Sequence, residues 1–392
     1  TTDVAVTGYK EGTMVAYLME FNQPYDSISP VVIHVGGSTP SISITTPDGT
    51  STDPGTTNPG GTQETPAAED PNAKAAVSNN QSQQNYSTYG SVVASYLYER
   101  KDGGFTRVEA IDDGIIVENY DDRFHLLTSD SIPIELDLFG GFYAGEDCNF
   151  LIFGQKNLSE SESQEVIRVV KYSKDWERLN SASLRGVNTY IPFDAGSLRC
   201  TEYNGMLYIH TCHEMFDIGD GLHHQANMLI CVRESNMAVT DTRYGISNIA
   251  TGYVSHSFTQ FITVDDSGRL VTLDHGDAYP RAAVLCQYGQ AGNEKFGLPA
   301  DYKEVMTFYG AVGDNKTNAS VGGLAVSGSN YLSVLNTAVQ DGTAGYNSAR
   351  NIVLGVTGQN GLSTKVTQLT SYASNGSTSA STPQIVKLSN DR

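Results

Sequence analysis

The sequence predicts an all-β fold, a β-propeller of four-stranded blades preceded by a Pro/Thr/Ser/Gly-rich linker, on three observations. From residue 90 onward, apolar residues alternate in short runs bounded by Asp, Asn and Gly, which is the period of strands rather than helices. The runs group into pairs: "GGFYAGEDCNFLIFGQ" (140–155), "AGSLRCTEYNGMLYIHT" (195–211), "SFTQFITVDDSGRLVTLDH" (257–275) and "GGLAVSGSNYLSVLN" (322–336) each hold a strand opened by small residues, a tight turn and a second apolar strand. The pairs also recur, because the starts at Gly140, Gly196, Ser257 and Gly322 lie roughly 55 to 65 residues apart, a little more than the usual blade period.

Taken in chain order, residues 1–37 hold the runs "DVAVTGY", "TMVAYLMEF" and "PVVIHVGG", too few strands to bury a stable face alone. Residues 38–89 change composition. Eight of the chain's 13 prolines fall before residue 72, among dense Thr, Ser and Gly, so this stretch has too little apolar surface to offset its ordering entropy and is expected to be an extended, mobile spacer. Residues 90–392 are the propeller region. After the paired strands come third strands ("EVIRVVKYS", "NMLICVRES", "RAAVLCQYG", "RNIVLGVTG") and fourth strands such as "ERLNSASL" and "KVTQLTSY", and radial repetition of such units builds a propeller. A shorter unit, 105–139, precedes them. "SVVASYLYE" (91–99) is expected as an outer, ring-closing strand, and "STPQIVKLSNDR" (381–392) as the first strand of a further blade. About five blades are therefore present, the ring being completed by residues absent from the sequence or by another chain. Small residues in the first strands fit crowding around a central channel.

Composition limits the function. With 44 acidic against 24 basic residues, the net charge of −20 opposes phosphate backbones, which excludes a nucleic-acid partner. No run of eighteen apolar residues suggests membrane insertion. Five cysteines occur without a CxxC pair, which argues against a zinc ribbon or a disulfide framework.

Two resemblances follow from quoted stretches. "VTGYKEGTMVAYLMEF" resembles the closing hairpin of a CAP (cysteine-rich secretory protein) domain, which implies that 1–37 is the tail of a truncated domain; that family's histidine and glutamate site is not included. "NFLIFGQ", "EVIRVVKYSKDW", "FDAGSLR", "LYIHTCHEM", "DGLHHQAN", "YVSHSFTQF", "DHGDAYPR", "SVGGLAVS" and "STPQIVKLS" resemble a propeller region of large secreted or wall-attached proteins of Gram-positive gut anaerobes. That resemblance implies the fold, an extracellular location and a chain continuing past Arg392, and it implies no mechanism.

Chemistry concentrates in "IHTCHEMFDIGDGLHHQANMLICVR" (209–233), which holds four of the eight histidines. The repeat places His210, His213, His223, His224, Gln225, Asn227, His256, Asp274, His275, Asp277 and Arg281 near one channel mouth, where loops on a rigid scaffold gather binding residues. Neutral imidazoles with an amide or carboxylate suit a transition metal, with His210, His213, His224 and His275 as the candidate ligands. The pattern is loosely similar to the His/Gln metal site of propeller-built polysaccharide lyases, and in its histidines and arginine to propeller arylsulfotransferases. Imidazoles at strand ends also serve simply to fix loops. Acidic turns at 110–114, 119–122 and 265–268 could hold Ca2+, although Asp-Gly turns are ordinary hairpin connections. Arg168, Arg233, Arg281 and Arg350 recur near third strands, either lining the channel or pairing with neighbouring blades. Phe142, Tyr143, Tyr203 and Tyr279 could stack sugars or fill the space between sheets. The expected function is an extracellular, non-catalytic module that binds a glycan or surface protein; the alternatives are a polysaccharide-acting enzyme with a His-held metal and a structural surface scaffold of proteolytically nicked chains, with the remaining C-terminal part of its own polypeptide as partner.

Overall fold

Alternating strands need a second sheet on each buried face, and the computed structural model shows how this chain supplies it. It describes residues 12–18, 29–35, 92–314, 317–338, 345, 348–376, 378–381 and 383–385. The chain divides into two units, Thr1–Pro66 and Ala67–Arg392. In the first, strands β1 (Gly12–Leu18) and β2 (Ser29–Val35) pair antiparallel from Gly12 opposite Val35 to Leu18 opposite Ser29. The run "DVAVTGY" and the 38–89 linker lie outside the described residues.

The second unit is a β-propeller, and its described part is five successive antiparallel four-stranded blades. Blade 1 is β3 (Ser95–Glu99), β4 (Phe105–Ile111), β5 (Gly114–Tyr120) and β6 (Leu126–Ile132); blade 2 is β7 (Leu138–Ala144), β8 (Asn149–Gly154), β9 (Glu165–Tyr172) and β10 (Arg178–Arg185). Blade 3 has a first strand in two pieces, β11 (Thr189–Pro192) and β12 (Arg199–Tyr203). Both lie along β13 (Met206–Met215), which is followed by β14 (Gln225–Arg233) and β15 (Ala238–Arg243). Blade 4 is β16 (Ser255–Val264), β17 (Arg269–Tyr279), β18 (Ala282–Gln290) and β19 (Asp301–Thr307); blade 5 is β20 (Ser320–Ser327), β21 (Asn330–Thr337), β22 (Asn351–Gly358) and β23 (Thr364–Gln368). A single pair, Ala226 opposite Ser255, joins β14 to β16, so blades 3 and 4 form one nine-stranded sheet. No helix among the described residues is long and apolar enough to cross a membrane.

The two-residue period of a strand decides which neighbour each side chain meets. In β8, Leu151 and Phe153 face blade 1 with Val108 and Ile115, while Phe150 and Ile152 face blade 3 with Leu207 and Ile209. Strand β13 repeats this: Leu207 and Ile209 join the cluster with blade 2, and Met206 and Tyr208 join Val284, Cys286 and Tyr288 of blade 4. In β18, Ala283 and Leu285 meet Tyr331 and Leu335 of blade 5. The middle strands are thus apolar on both faces, and each fully buried Leu, Ile or Phe contributes about 1.5–3 kcal/mol.

Two details correct the sequence reading. Residues 95–99 form the first strand of the 105–132 unit, paired with β4, rather than an outer strand of a distant blade; the Tyr96 hydroxyl lies against Gly141 of the next first strand. The small residues of first strands make room for the following blade rather than for the channel. A Cβ on Gly141 would sit 2.9 Å from Leu198 Cδ2 of blade 3, and one on Gly323 would collide with Ile385. The segment 383–385 therefore lies against blade 5 as β12 lies against blade 2, the place expected for a further first strand.

Candidate functional site

In an antiparallel meander, the loops between second and third strands and the connectors to the next blade emerge at the same end. In blades 2 to 4 these are 155–164, 186–188, 216–224, 244–254, 280–281, 308–314 and 317–319, and the predicted residues lie on or just below them.

Strand parity separates the histidines. His210 shares the face of Met206 and Tyr208 and points to blade 4, where its Nε2 donates to Asp274 Oδ2 at 3.0 Å. Both residues are fully buried. Asp274 Oδ1 accepts from Ser257 Oγ at 2.7 Å, Ser257 Oγ accepts from Gln260 Nε2 at 2.8 Å, and Gln260 Oε1 accepts from the Ser197 amide at 2.7 Å. This buried network bolts blade 3 to blade 4. Such networks specify one packing when satisfied and cost stability when broken.

His213, three residues on, is on the opposite face and shares a 2.8 Å hydrogen bond with the Thr189 hydroxyl through Nδ1. His275, next to Asp274 and therefore pointing away from it, faces blade 5. Its Nε2 meets the Thr317 hydroxyl at 2.7 Å, and its ring lies edge-on to Phe258 and Phe308. Burial disfavours their charged forms and lowers each pKa from 6.5 to about 3, with the Arg281 charge adding to the effect on His275. Both rings are neutral at pH 7.

His223 and His224 lie on the 216–224 loop rather than on a strand. His223 stacks on Tyr190 at 3.5 Å between centroids, with planes 2° apart, and donates to Glu160 at 2.9 Å. Glu160 also accepts from the Asp217 amide, so the loop of blade 2 holds that of blade 3. Asp217 Oδ1 takes the amides of Gly219, Asp220 and Gly221, and His224 donates to Asp220 at 2.7 Å. Gln225 Nε2 donates to the Asp194 and Ser257 carbonyls, and Asn227 bridges the Gly252 carbonyl and the Val254 amide.

The third group sits on blade 4. His256 has φ 50°, a left-handed backbone rare for a non-glycine residue, and lies at the register shift of β16 between Ser255 and Ser257. Bulges of this kind re-aim side chains. Its Nδ1 donates to the buried Asp277 at 3.0 Å, while a quarter of its side chain stays exposed. The other Asp277 oxygen is buried and makes no hydrogen bond among the described residues. Arg281 donates to the carbonyls of Tyr309, Asp277 and Asp314.

The structure therefore brings His210 to Asp274 and His256 to Asp277. It does not bring the four metal candidates together, since each has its own partner and His210 and His213 face opposite blades. Among the described residues, no three His, Cys, Asp or Glu side chains group so as to hold a metal ion. In the acidic turns, Asp121 and Asp265 accept local amides and pair with His125 and Arg269. Arg168 pairs with Glu135 and Glu165, Arg233 with Glu294 of blade 4, and Arg350 with the Asn318 carbonyl. Phe142 is core, packed with Tyr96, Tyr98 and Trp176, whereas Tyr279 is exposed. Sequence reading missed Ser197, Ser257, Gln260, Thr189 and Glu160; Ser257 and Gln260 alone carried a signal, as polar residues on a first strand otherwise built to be buried.

No family model matches the chain, and no curated protein matches it. Solved structures similar to it include a GH43 protein from Bacillus licheniformis, at 11% identity and a TM-score of 0.30, covering 56% of this chain and 39% of that one. A GH43 endo-arabinanase from the same organism aligns at 11% identity and a TM-score of 0.29, covering 66% and 69%. A quinonprotein alcohol dehydrogenase-like protein from Bacteroides thetaiotaomicron aligns at 9% and 0.35, covering 72% and 64%. The chain spans well under half of the first of these. At such scores the likenesses carry no argument about ligand or chemistry, and the fold stands on the sheets themselves.

Proposed function

We propose that this chain is an extracellular binding module whose loop-bearing face holds a ligand without chemical turnover. One observation carries this reading. The side chains expected to do chemistry are occupied in fixing loops: His213, His223, His224, His275, Gln225, Asn227 and Arg281 each hold a neighbouring backbone or side chain. Among polar and charged neighbours, the same face also leaves a set of apolar side chains exposed: Leu158, Ile218, Leu222, Ile246, Tyr279 and Val312 are each at least half exposed. Apolar side chains on a pre-organised surface favour binding, and their mostly aliphatic character favours a protein surface over a glycan. The extracellular location rests on the acidic, Thr- and Ser-rich composition and on the resemblance noted from sequence.

A second reading, an enzyme acting on polysaccharide, is favoured by the His256–Asp277 pair. A part-exposed imidazole oriented by a buried carboxylate is a competent general base. One experiment separates the two. Wild type, His256→Gln and the double variant Ile218→Ser/Leu222→Ser are assayed for saturable binding to mucin, fibronectin, collagen and a glycan array, and for release of reducing or unsaturated ends from the glycans. The module reading expects binding that survives in His256→Gln and falls at least tenfold in the double variant. Turnover lost in His256→Gln would replace it with the enzyme.

A further inference from the structure

The arginines that recur along the third strands are accounted for by carboxylates and carbonyls, but Arg199, on a first strand, is not. Its guanidinium carbon lies 4.9 Å from the centroid of Phe261, on the first strand of blade 4. Tyr96, on the first strand of blade 1, and Cys200 are close enough to act on its charge. First strands of blades 1, 3 and 4 approach one another together only at the propeller axis, so the guanidinium lies in the central channel. Its one hydrogen bond among the described residues goes to the Leu198 carbonyl at 3.2 Å. Arg107, Arg168, Arg178, Arg233 and Arg269 all have acidic partners; Arg199 has none within ion-pair distance among the described residues.

The surroundings do not supply a counter-charge. Burial lowers the Arg199 pKa from its ordinary value, partly offset by Tyr96 and Cys200. It also pushes Tyr96 up to about 12 and the Cys200 thiol well above its usual range, so both are neutral at pH 7. A part-buried cation without a partner among the described residues is costly, and in a chain of net charge −20 carboxylates were plentiful. The Phe261 face covers one side of the guanidinium as a cation–π shelf. The Tyr96 hydroxyl, buried and approached only by the Phe142 amide, makes no completed hydrogen bond among the described residues.

We propose that Arg199 and Tyr96 form an oxyanion site in the central channel, the guanidinium fork taking two oxygens of a carboxylate, phosphate or sulfate and the phenol hydroxyl donating to it. A planar fork suits such groups and an ammonium does not reproduce it. This site is distinct from the loop face, and its failure would leave the binding-module reading standing.

The test is calorimetric titration and thermal unfolding of the whole chain with sodium phosphate, sulfate, acetate and glucuronate at constant ionic strength, with chloride as the reference. Wild type is expected to show saturable binding of at least one oxyanion over chloride. Arg199→Gln should weaken it at least tenfold, Arg199→Lys should weaken it less, and Tyr96→Phe should weaken it several-fold. Tighter binding of glucuronate than of acetate and phosphate would identify the anion as the acid group of a sugar; the reverse would identify a free ion. No saturable response in wild type, or equal affinity in Arg199→Gln, overturns the site. Should Arg199→Gln not fold, Tyr96→Phe decides: weakened affinity supports the site and unchanged affinity overturns it.

Discussion

Acid should unlock this propeller through two imidazoles buried on different sides of the blade 3–blade 4 pair. His213 and His275 have an ordinary pKa of 6.5 and a folded value of about 3. Between those limits the unfolded chain binds more protons than the folded one, so stability is complete above pH 6.5 and is lost progressively as pH falls toward 3. At pH 5.0 each histidine withdraws about 2 kcal/mol, from about 1.4 kcal/mol per pH unit over 1.5 units, and the two together about 4 kcal/mol. That is a large share of the roughly 5–15 kcal/mol typical of a folded domain. The control is His213→Asn with His275→Gln, since an Asn amide can stand near Nδ1 for Thr189 and a Gln amide near Nε2 for Thr317. Chemical denaturation followed by circular dichroism at pH 7.5 and 5.0 should show wild type losing about 4 kcal/mol more than the double variant. Carboxylates and overall charge titrate equally in both proteins and cancel in this difference. If the two proteins lose the same stability, the buried-histidine account is refuted.

Thr189→Val should cost about 1–3 kcal/mol, because it leaves His213 Nδ1 buried without its partner; a denaturation midpoint within error of wild type would contradict this. Gly154→Ala should cost a similar about 1–3 kcal/mol by overpacking, since its Cβ would come within 2.6 Å of the Phe193 ring and 2.7 Å of Pro192. Combining it with Phe193→Leu should recover part of that loss in thermal melts.

Strand order within the blades was legible because middle strands such as "NFLIFG" and "MLICVR" are apolar at consecutive positions, which only sheets buried on both faces need. The first strands were harder. "SYLYE" (95–99) pairs with its immediate successor, yet its exposed Leu97 and Glu99 give it the texture of an outer strand. Blade 3's first strand is cut by left-handed residues at Phe193 and Ala195, a backbone choice no side-chain pattern announces. At the site, the sequence identified the residues that gather but not their directions. Direction depends on parity within a strand, which separates His210 from His213 and Asp274 from His275, and so dissolves a four-histidine cluster into separate pairs. Nothing in the repeat "AGSLRCTEYNGMLYIHT" marks Arg199, because the approach of blades distant in sequence is what makes it unusual.

The single backbone pairing of Ala226 with Ser255 has a mechanical meaning. Blades 2 and 3 share one main-chain bond between loop and strand, from the Asn157 amide to the Tyr190 carbonyl, whereas blades 3 and 4 are stitched strand to strand at the loop-bearing end, with the Asn227 amide also bonded to the Val254 carbonyl. Breathing of the ring should then hinge at seams where no strand pairs with the next blade, and blades 3 and 4 should exchange amide protons with solvent as one block.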